Sequence, residues 1–186
     1  MNILNKILYS VLIVLLLAST AWAATLGYAL MDTESTLMAT EFPLGETQYF
    51  STTGTAVTIA SQSDGSTNMV AITPVTSLNG DSYLFTNSNG RLTYTGLLTK
   101  SFHVAATLSI APVNPAETFV VGLSKNGGAP TGKIIQKVTT ASDTQAFSFH
   151  SMVTLATNDY IEVYIGNLTS SADVTVNSLN SFAMGM

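Results

Sequence analysis

The chain has 186 residues, of which 46% are hydrophobic and 9% are charged, and its formal net charge is −5. A sizeable core is therefore available, whereas the polar surface must come mainly from Ser, Thr, Asn and Gln, which favours strands over exposed helices. Cys is absent and His occurs twice, which excludes disulfides, thiolate metal sites and His-rich metal sites. The six Lys and Arg form no basic cluster, so nucleic-acid binding is not expected.

The N-terminus has the pattern of an export signal. Lys6 precedes an apolar run at 7–17, and Ala21-Trp22-Ala23 supplies small residues where signal peptidase requires them. The uncharged stretch continues to residue 31, and 7–31 as a helix is long enough to cross a hydrocarbon core of ~30 Å. Two interpretations stay open, a signal peptide cleaved after Ala23 or a retained anchor that holds the chain to a membrane through 7–31.

Both interpretations place the remainder of the chain outside the cytoplasm. We therefore predict three segments: a hydrophobic helix at 1–31 that is a signal peptide or membrane anchor, a linker at 32–44, and one domain at 45–186. The product would be exported and extracellular, at a cell surface or a virion surface.

From residue 45 onwards every predicted element is a strand. Asn-Gly and Asp-Gly pairs, which reach positive φ at low cost, separate many of these segments. The predicted strands are 48–51, 56–61, 68–73, 82–86, 91–95, 100–111, 118–125, 133–139, 144–156, 160–166 and 173–184.

Several of these strands alternate with period two, so each has one apolar and one polar face. Such faces are what two packed antiparallel sheets require, since each sheet buries one face in a shared core. The corner at Gly96, in the stretch RLTYTGLLTK, is predicted to carry the chain from one sheet to the other. The predicted inward positions include Phe102, Val104, Ala106, Leu108, Ile110, Ile161, Val163 and Ile165.

Three long runs carry a family resemblance: FTNSNGRLTYTGLLTKSFHVAATLSI, FVVGLSKNG and SMVTLATNDYIEVYIGNLTSSADVTVNSLN. Together they resemble the jelly roll of the complement globular-head and tumour necrosis factor superfamily, in the version common in phage and viral structural proteins. The resemblance covers about 45–186 and implies an all-β, antiparallel, two-sheet jelly-roll sandwich. It also implies a homotrimer packed through outer-face apolar and aromatic residues, for which Met152, Tyr160 and Tyr164 are the candidates.

No motif indicates catalysis, a cofactor or a metal ion. His103 and His150 fall on polar strand faces, and a shared metal site would need both on one sheet with a third ligand nearby. The spacing of Asp159 and Glu162 matches no calcium loop, so Asp159 is predicted to cap a turn. Asn167 begins a glycosylation sequon. Catalytic, cofactor and metal residues are therefore predicted to be none, and the protein is not expected to be an enzyme.

The leading functional hypothesis is a trimeric attachment or structural module displayed on a virion or cell surface. Its loops at 62–67, 77–81 and 126–132 would contact a receptor or glycan through weak, multivalent interactions. The alternative is a subunit of an extracellular filament or matrix, in which residues 24–44 add a strand to the sheet of a neighbouring copy.

Overall fold

The computed structural model describes residues 42–74 and 82–186, together with the backbone of a short strand at 78–79. The predicted hydrophobic helix at 1–31 and most of the linker lie outside the described residues, as does most of the segment proposed for strand addition. Within the described ranges, no helix is long and apolar enough to cross a membrane.

All described elements of regular structure are strands, as the sequence predicts. Eleven strands follow one another along the chain. They are β1 (Leu44–Val57), β2 (Val70–Ala71), β3 (Leu78–Asn79), β4 (Phe85–Ser88), β5 (Arg91–Tyr94), β6 (Lys100–Pro112), β7 (Glu117–Lys125), β8 (Thr131–Val138), β9 (Gln145–Leu155), β10 (Tyr160–Asn167) and β11 (Val174–Gly185).

The strands form two antiparallel sheets, which confirms the predicted all-β class. The five-stranded sheet has the order β3-β1-β11-β6-β9. The six-stranded sheet has the order β4-β5-β10-β7-β8, and β2 also pairs with β10. The last strand, β11, lies between β1 and β6, so the two ends of the domain's chain are joined in one sheet.

The core lies between the two sheets and is built from the alternating apolar positions. On β6, Phe102, Val104 and Ile110 are fully buried, and on β10 Ile161 and Ile165 are buried against them in the same cluster. Burying one such side chain stabilises a fold by about 1.5–3 kcal/mol. The predicted period-two pattern is therefore confirmed on β6, whereas β7 and β10 are buried on both faces.

The corner at Gly96 does change sheets, since β5 belongs to the six-stranded sheet and β6 to the five-stranded one. An aromatic cluster holds the corner. The rings of Phe85, Tyr94 and Phe102 have centroids 5.0–5.4 Å apart in tilted and edge-to-face arrangements. The buried Tyr94 hydroxyl also donates a 2.9 Å hydrogen bond to the Leu98 carbonyl, which fixes the chain just after the turn.

The structure corrects the predicted boundaries near the N-terminal end of the domain. The two strands predicted at 48–51 and 56–61 are one strand, β1, whose register against β11 shifts between Phe50 and Thr55. The polar stretch at 51–54 is a bulge-like irregularity within β1, four residues opposite Asn177 of β11, with Gly54 at φ 71°. Strand β3 was not predicted, because its Asn-Gly pair is typical of a turn.

We predict that Gly96→Ala destabilises the domain by about 1–3 kcal/mol, the usual cost of overpacking. A Cβ at this position would overlap the Tyr94 ring and hydroxyl, which are buried and bonded. Urea denaturation followed by far-ultraviolet circular dichroism would measure the change in the free energy of unfolding. Thr95→Ala is the matched control, since its side chain is exposed, and equal stability of the two variants would contradict the assigned corner.

Candidate functional site

The outer face of the five-stranded sheet is a continuous surface whose rows follow from the strand register. One row runs Leu44, Met184, His103 and Met152 across β1, β11, β6 and β9. The next row runs Glu46, Phe182, Ala105 and His150 across the same strands. We call the outward positions of β1, β11, β6 and β9 the five-stranded face, after the five-stranded sheet to which these strands belong.

The five-stranded face is nearly uncharged and partly apolar. Its outward positions contain no Lys or Arg, and Glu46 is their one acidic residue. Phe50 is 75% exposed, Met152 51% and Met184 43%. Exposed large apolar side chains that share a face mark an interaction surface more often than scattered ones do.

The two histidines lie together on the five-stranded face. His103 pairs directly with Met152, and His150 pairs with Ala105, so the imidazoles are diagonal neighbours on adjacent strands. Their ring centroids are 5.6 Å apart. Among the described residues, no three side chains of His, Cys, Asp and Glu are grouped so as to hold a metal ion.

The outer face of the six-stranded sheet differs because the protein's own loops cover much of it. The turn between β7 and β8 folds over β10, and a Cβ at Gly127 would lie 3.3 Å from the Tyr160 hydroxyl. Ser124 donates a 2.8 Å hydrogen bond to the Gly128 carbonyl and is fully buried. A second loop, at 61–69, packs against Gly166 on the same face.

Beneath the β7–β8 turn, a buried carboxylate is paired with an arginine. Arg91 Nε donates to Glu162 Oε1 at 2.9 Å, and Glu162 is 3% exposed. The guanidinium also lies over the Tyr160 ring, 4.0 Å from its centroid. The hydrogen bond to Glu162 raises the pKa of Arg91 above its usual value. Sequence alternation placed Glu162 on a solvated face, whereas the pairing and the turn bury it.

Asp159 stabilises the same end of the sheet. Its Oδ2 accepts from the Ala156 backbone N–H at 2.8 Å, which confirms the predicted turn cap. Lys125 lies 2.7 Å from that oxygen, and Asn126 donates to Oδ1 at 2.7 Å. These contacts, with Lys125 the largest, lower the pKa of Asp159 to about 2. The carboxylate therefore serves the turn, and no calcium loop is formed there by the described residues.

The end of the sandwich opposite Asp159 carries a polar surface cavity of about 590 Å³ that is wide open to solvent. Asp64 forms part of the wall of this cavity. Hydrogen bonds from the backbone N–H groups of Thr67 and Ser66 lower the pKa of its carboxyl group. The sequon residue Asn167 lies nearby but is fully buried, and its Oδ1 accepts from the backbone of Thr169 and Ser170. The Asn167 amide is thus engaged in the fold. The cavity is lined by Gln62, Ser63, Asp64, Thr67, Asn68 and Leu168.

The structure separates the three residues predicted for a trimer interface. Met152 is on β9 in the five-stranded sheet, whereas Tyr160 and Tyr164 are on β10 in the six-stranded sheet. The tyrosines are half-buried under the β7–β8 turn, and Met152 is exposed. Sequence alternation distinguishes inward from outward positions, but sheet membership depends on long-range pairing that it does not specify.

Comparison with known proteins shows the fold. The chain is similar to Eiger TNF from S. frugiperda, with 11% identity, a TM-score of 0.50, and coverage of 76% of this chain and 92% of that one. It is also similar to murine APRIL (9%, TM-score 0.48, coverage 77% and 98%) and to the PRD1 vertex protein P5 (8%, TM-score 0.45, coverage 77% and 95%). No protein-family model and no curated protein sequence matches it. The predicted TNF-like jelly roll is therefore confirmed as a fold.

We predict that Arg91→Ala destabilises the domain by about 1–3 kcal/mol, because it leaves the buried Glu162 carboxylate without its partner. Adding Glu162→Gln to that variant should restore part of the loss, since a neutral amide is cheaper to bury. Chemical denaturation of the two variants gives the comparison. A double variant no more stable than Arg91→Ala would show that the carboxylate does not depend on this arginine.

We also predict a pH-dependent effect of Asp159→Asn. The folded-state pKa of Asp159 is lowered to about 2 by Lys125 and its other partners, below the usual value for Asp, so its ionised form stabilises the fold above about pH 4, and this contribution disappears as the pH falls through about 2. At neutral pH the variant should lose up to about 1 kcal/mol, because the pair with Lys125 is partly solvated. Thermal unfolding from pH 7 to pH 2 should show the difference shrinking, and a constant difference would refute the assignment.

Proposed function

We propose that the protein is a non-enzymatic, exported module that assembles as a homotrimer. The loops at one end of its sandwich would contact a receptor or glycan on another surface. The observation that supports the proposed trimer is the exposure of Phe50, Met152 and Met184 on the five-stranded face. The outward positions of the strands that form this face contain no Lys or Arg. The TNF-like fold supports the same arrangement, because the superfamily resemblance implies packing around a threefold axis through an outer face.

The contrast between the two outer faces favours the five-stranded one as the contact between copies. On the six-stranded sheet, the β7–β8 turn and the 61–69 loop already cover the middle strands, and Glu162 and Ser124 are buried beneath them. On the five-stranded sheet, Met152 and Met184 stay exposed on either side of His103. Of the predicted interface residues, Met152 therefore belongs to the proposed contact, and the tyrosines face the opposite side.

The point where the chain enters the domain suggests which end meets a ligand. Phe42 lies beside the C-terminal end of β11, since the Gly185 N–H donates to the Pro43 carbonyl. The β7–β8 turn lies at this same end, whereas the polar cavity beside Leu168 lies at the opposite end. If residues before Phe42 tether the module to a membrane or virion, the cavity end points outward.

Of the three loops predicted to contact a ligand, 62–67 is therefore the one we assign to that role. Its amide, hydroxyl and carboxylate side chains suit hydrogen bonding to hydroxyl-rich ligands such as glycans. The turn at 126–132 would face the tether, and most of 77–81 lies outside the described residues. Three copies of a weak site would bind a multivalent surface far more tightly than one copy.

Light scattering coupled to size-exclusion chromatography tests the trimer. The purified chain at micromolar concentration should show three times the protomer mass, and Met152→Lys should shift it towards the protomer, because a charge would be buried in the contact. Ile135→Lys is the matched control, since Ile135 is 64% exposed on the other sheet. A monomeric wild type, or equal effects of the two variants, would overturn the proposal.

A further inference from the structure

We propose that His103 and His150 form a binding site for a divalent transition-metal ion, with Cu²⁺ preferred, on the five-stranded face. The sequence alone required both histidines on one sheet and a third ligand nearby before such a site could be considered. The structure meets the first condition, because the two residues lie on adjacent strands in diagonal positions set by the β6–β9 register. For the second condition it offers the thioethers of Met152 and Met184, which lie opposite His103, and no third His, Cys, Asp or Glu among the described residues. Strands hold such positions more rigidly than loops do.

The separation of the two rings fits coordination of one ion. A ring nitrogen binds such a metal at about 2.0–2.1 Å, so the ring centre lies roughly 3.2 Å from the ion. Two ring centres are then about 4.5 Å apart at the cis angle of a tetragonal Cu²⁺ site and about 5.2 Å apart at a tetrahedral angle. The observed centroid distance between His103 and His150 is 5.6 Å, with the planes inclined by 50°. Small side-chain rotations would bring both imidazoles onto a shared ion.

The surroundings favour a cation. The outward positions of β1, β11, β6 and β9 contain no Lys or Arg that would repel a metal ion. Imidazole sites generally bind Cu²⁺ more tightly than Zn²⁺ or Ni²⁺, which is the reason to prefer Cu²⁺. Met184 and Met152 lie directly opposite His103 on its two sides and are exposed, and their thioethers, which are soft ligands, would favour the Cu(I) state of a bound copper ion.

Two imidazoles make an incomplete first coordination shell. The described residues supply no third His, Cys, Asp or Glu. Water, or a thioether from Met152 or Met184, would therefore complete the shell. Ala105, directly opposite His150, is small and leaves room beside the ring. The site shares Met152 and Met184 with the proposed trimer contact, so an ion bound there would lie between copies.

The chain suits a direct test because these are its only two histidines. Calorimetric titration of the full chain, purified without a histidine tag, with CuCl₂ and then ZnCl₂ should show one ion per protomer and tighter binding of Cu²⁺. His103→Gln and His150→Gln should each weaken Cu²⁺ binding at least tenfold, and the double variant defines the background from carboxylates. Thr154→Gln, on the same face of β9, should leave the affinity unchanged.

A further readout separates coordination from a structural effect. Electron paramagnetic resonance of the Cu²⁺ complex should show hyperfine coupling to imidazole nitrogens that is lost in the double variant. Wild-type affinity equal to that of the folded double variant, or a spectrum without nitrogen coupling, would overturn the proposal, whereas the trimer is judged separately by its mass.

Discussion

The packing of two apolar sheet faces against each other is the interaction on which the rest of the structure depends. It includes the aromatic cluster of Phe85, Tyr94 and Phe102, where the chain crosses from one sheet to the other. Aromatic pairs of this geometry contribute about 0.5–1.5 kcal/mol beyond the area they bury. Because no disulfide is possible, this core carries the stability that cross-links supply in many exported domains.

The inner faces of both sheets are buried in the core, whereas the outer faces of the two sheets differ from each other. The six-stranded sheet satisfies its outward polar groups internally, through the Arg91–Glu162 pair and the β7–β8 turn. The five-stranded sheet leaves Phe50, Met152 and Met184 exposed among neutral side chains. This asymmetry between the two outer faces is the physical basis for the proposal that copies associate through the five-stranded face.

The low charge of the chain has a related consequence. Like charges on a self-associating face oppose assembly, and a face without Lys or Arg avoids that cost. The same absence makes the imidazoles and thioethers beside His103 accessible to a cation. The proposed assembly and the proposed metal binding thus use one neutral surface, and Met152 and Met184 take part in both.

Much of the fold could be predicted from period-two alternation, because inward positions such as Phe102 and Ile161 follow from the pattern alone. The corner at Gly96 could also be predicted, since Gly interrupts two β-patterned runs. The bulge at Gly54 could not, because polar residues before a Gly suggest a turn equally well.

The candidate site was less predictable than the fold, for a reason of distance along the chain. The separation of Met152 from Tyr160 depends on β9 pairing with β6 while β10 pairs with β7, and these pairings are not encoded locally. The burial of Glu162 depends on a turn that folds back from another strand. The proximity of His103 and His150 depends on the register between two strands. The alternation of polar and apolar residues within each strand does not determine that register.

The most direct measurement of the central packing is a double-mutant cycle between Phe85 on the six-stranded sheet and Phe102 on the five-stranded sheet, with each changed to Leu. If the two faces meet as described, the free energies of unfolding should show a coupling of about 0.5–1.5 kcal/mol. The same cycle between Phe102 and Phe50, which is 75% exposed on the outer face, should be additive. Additive behaviour of Phe85 and Phe102 would contradict the two-sheet core.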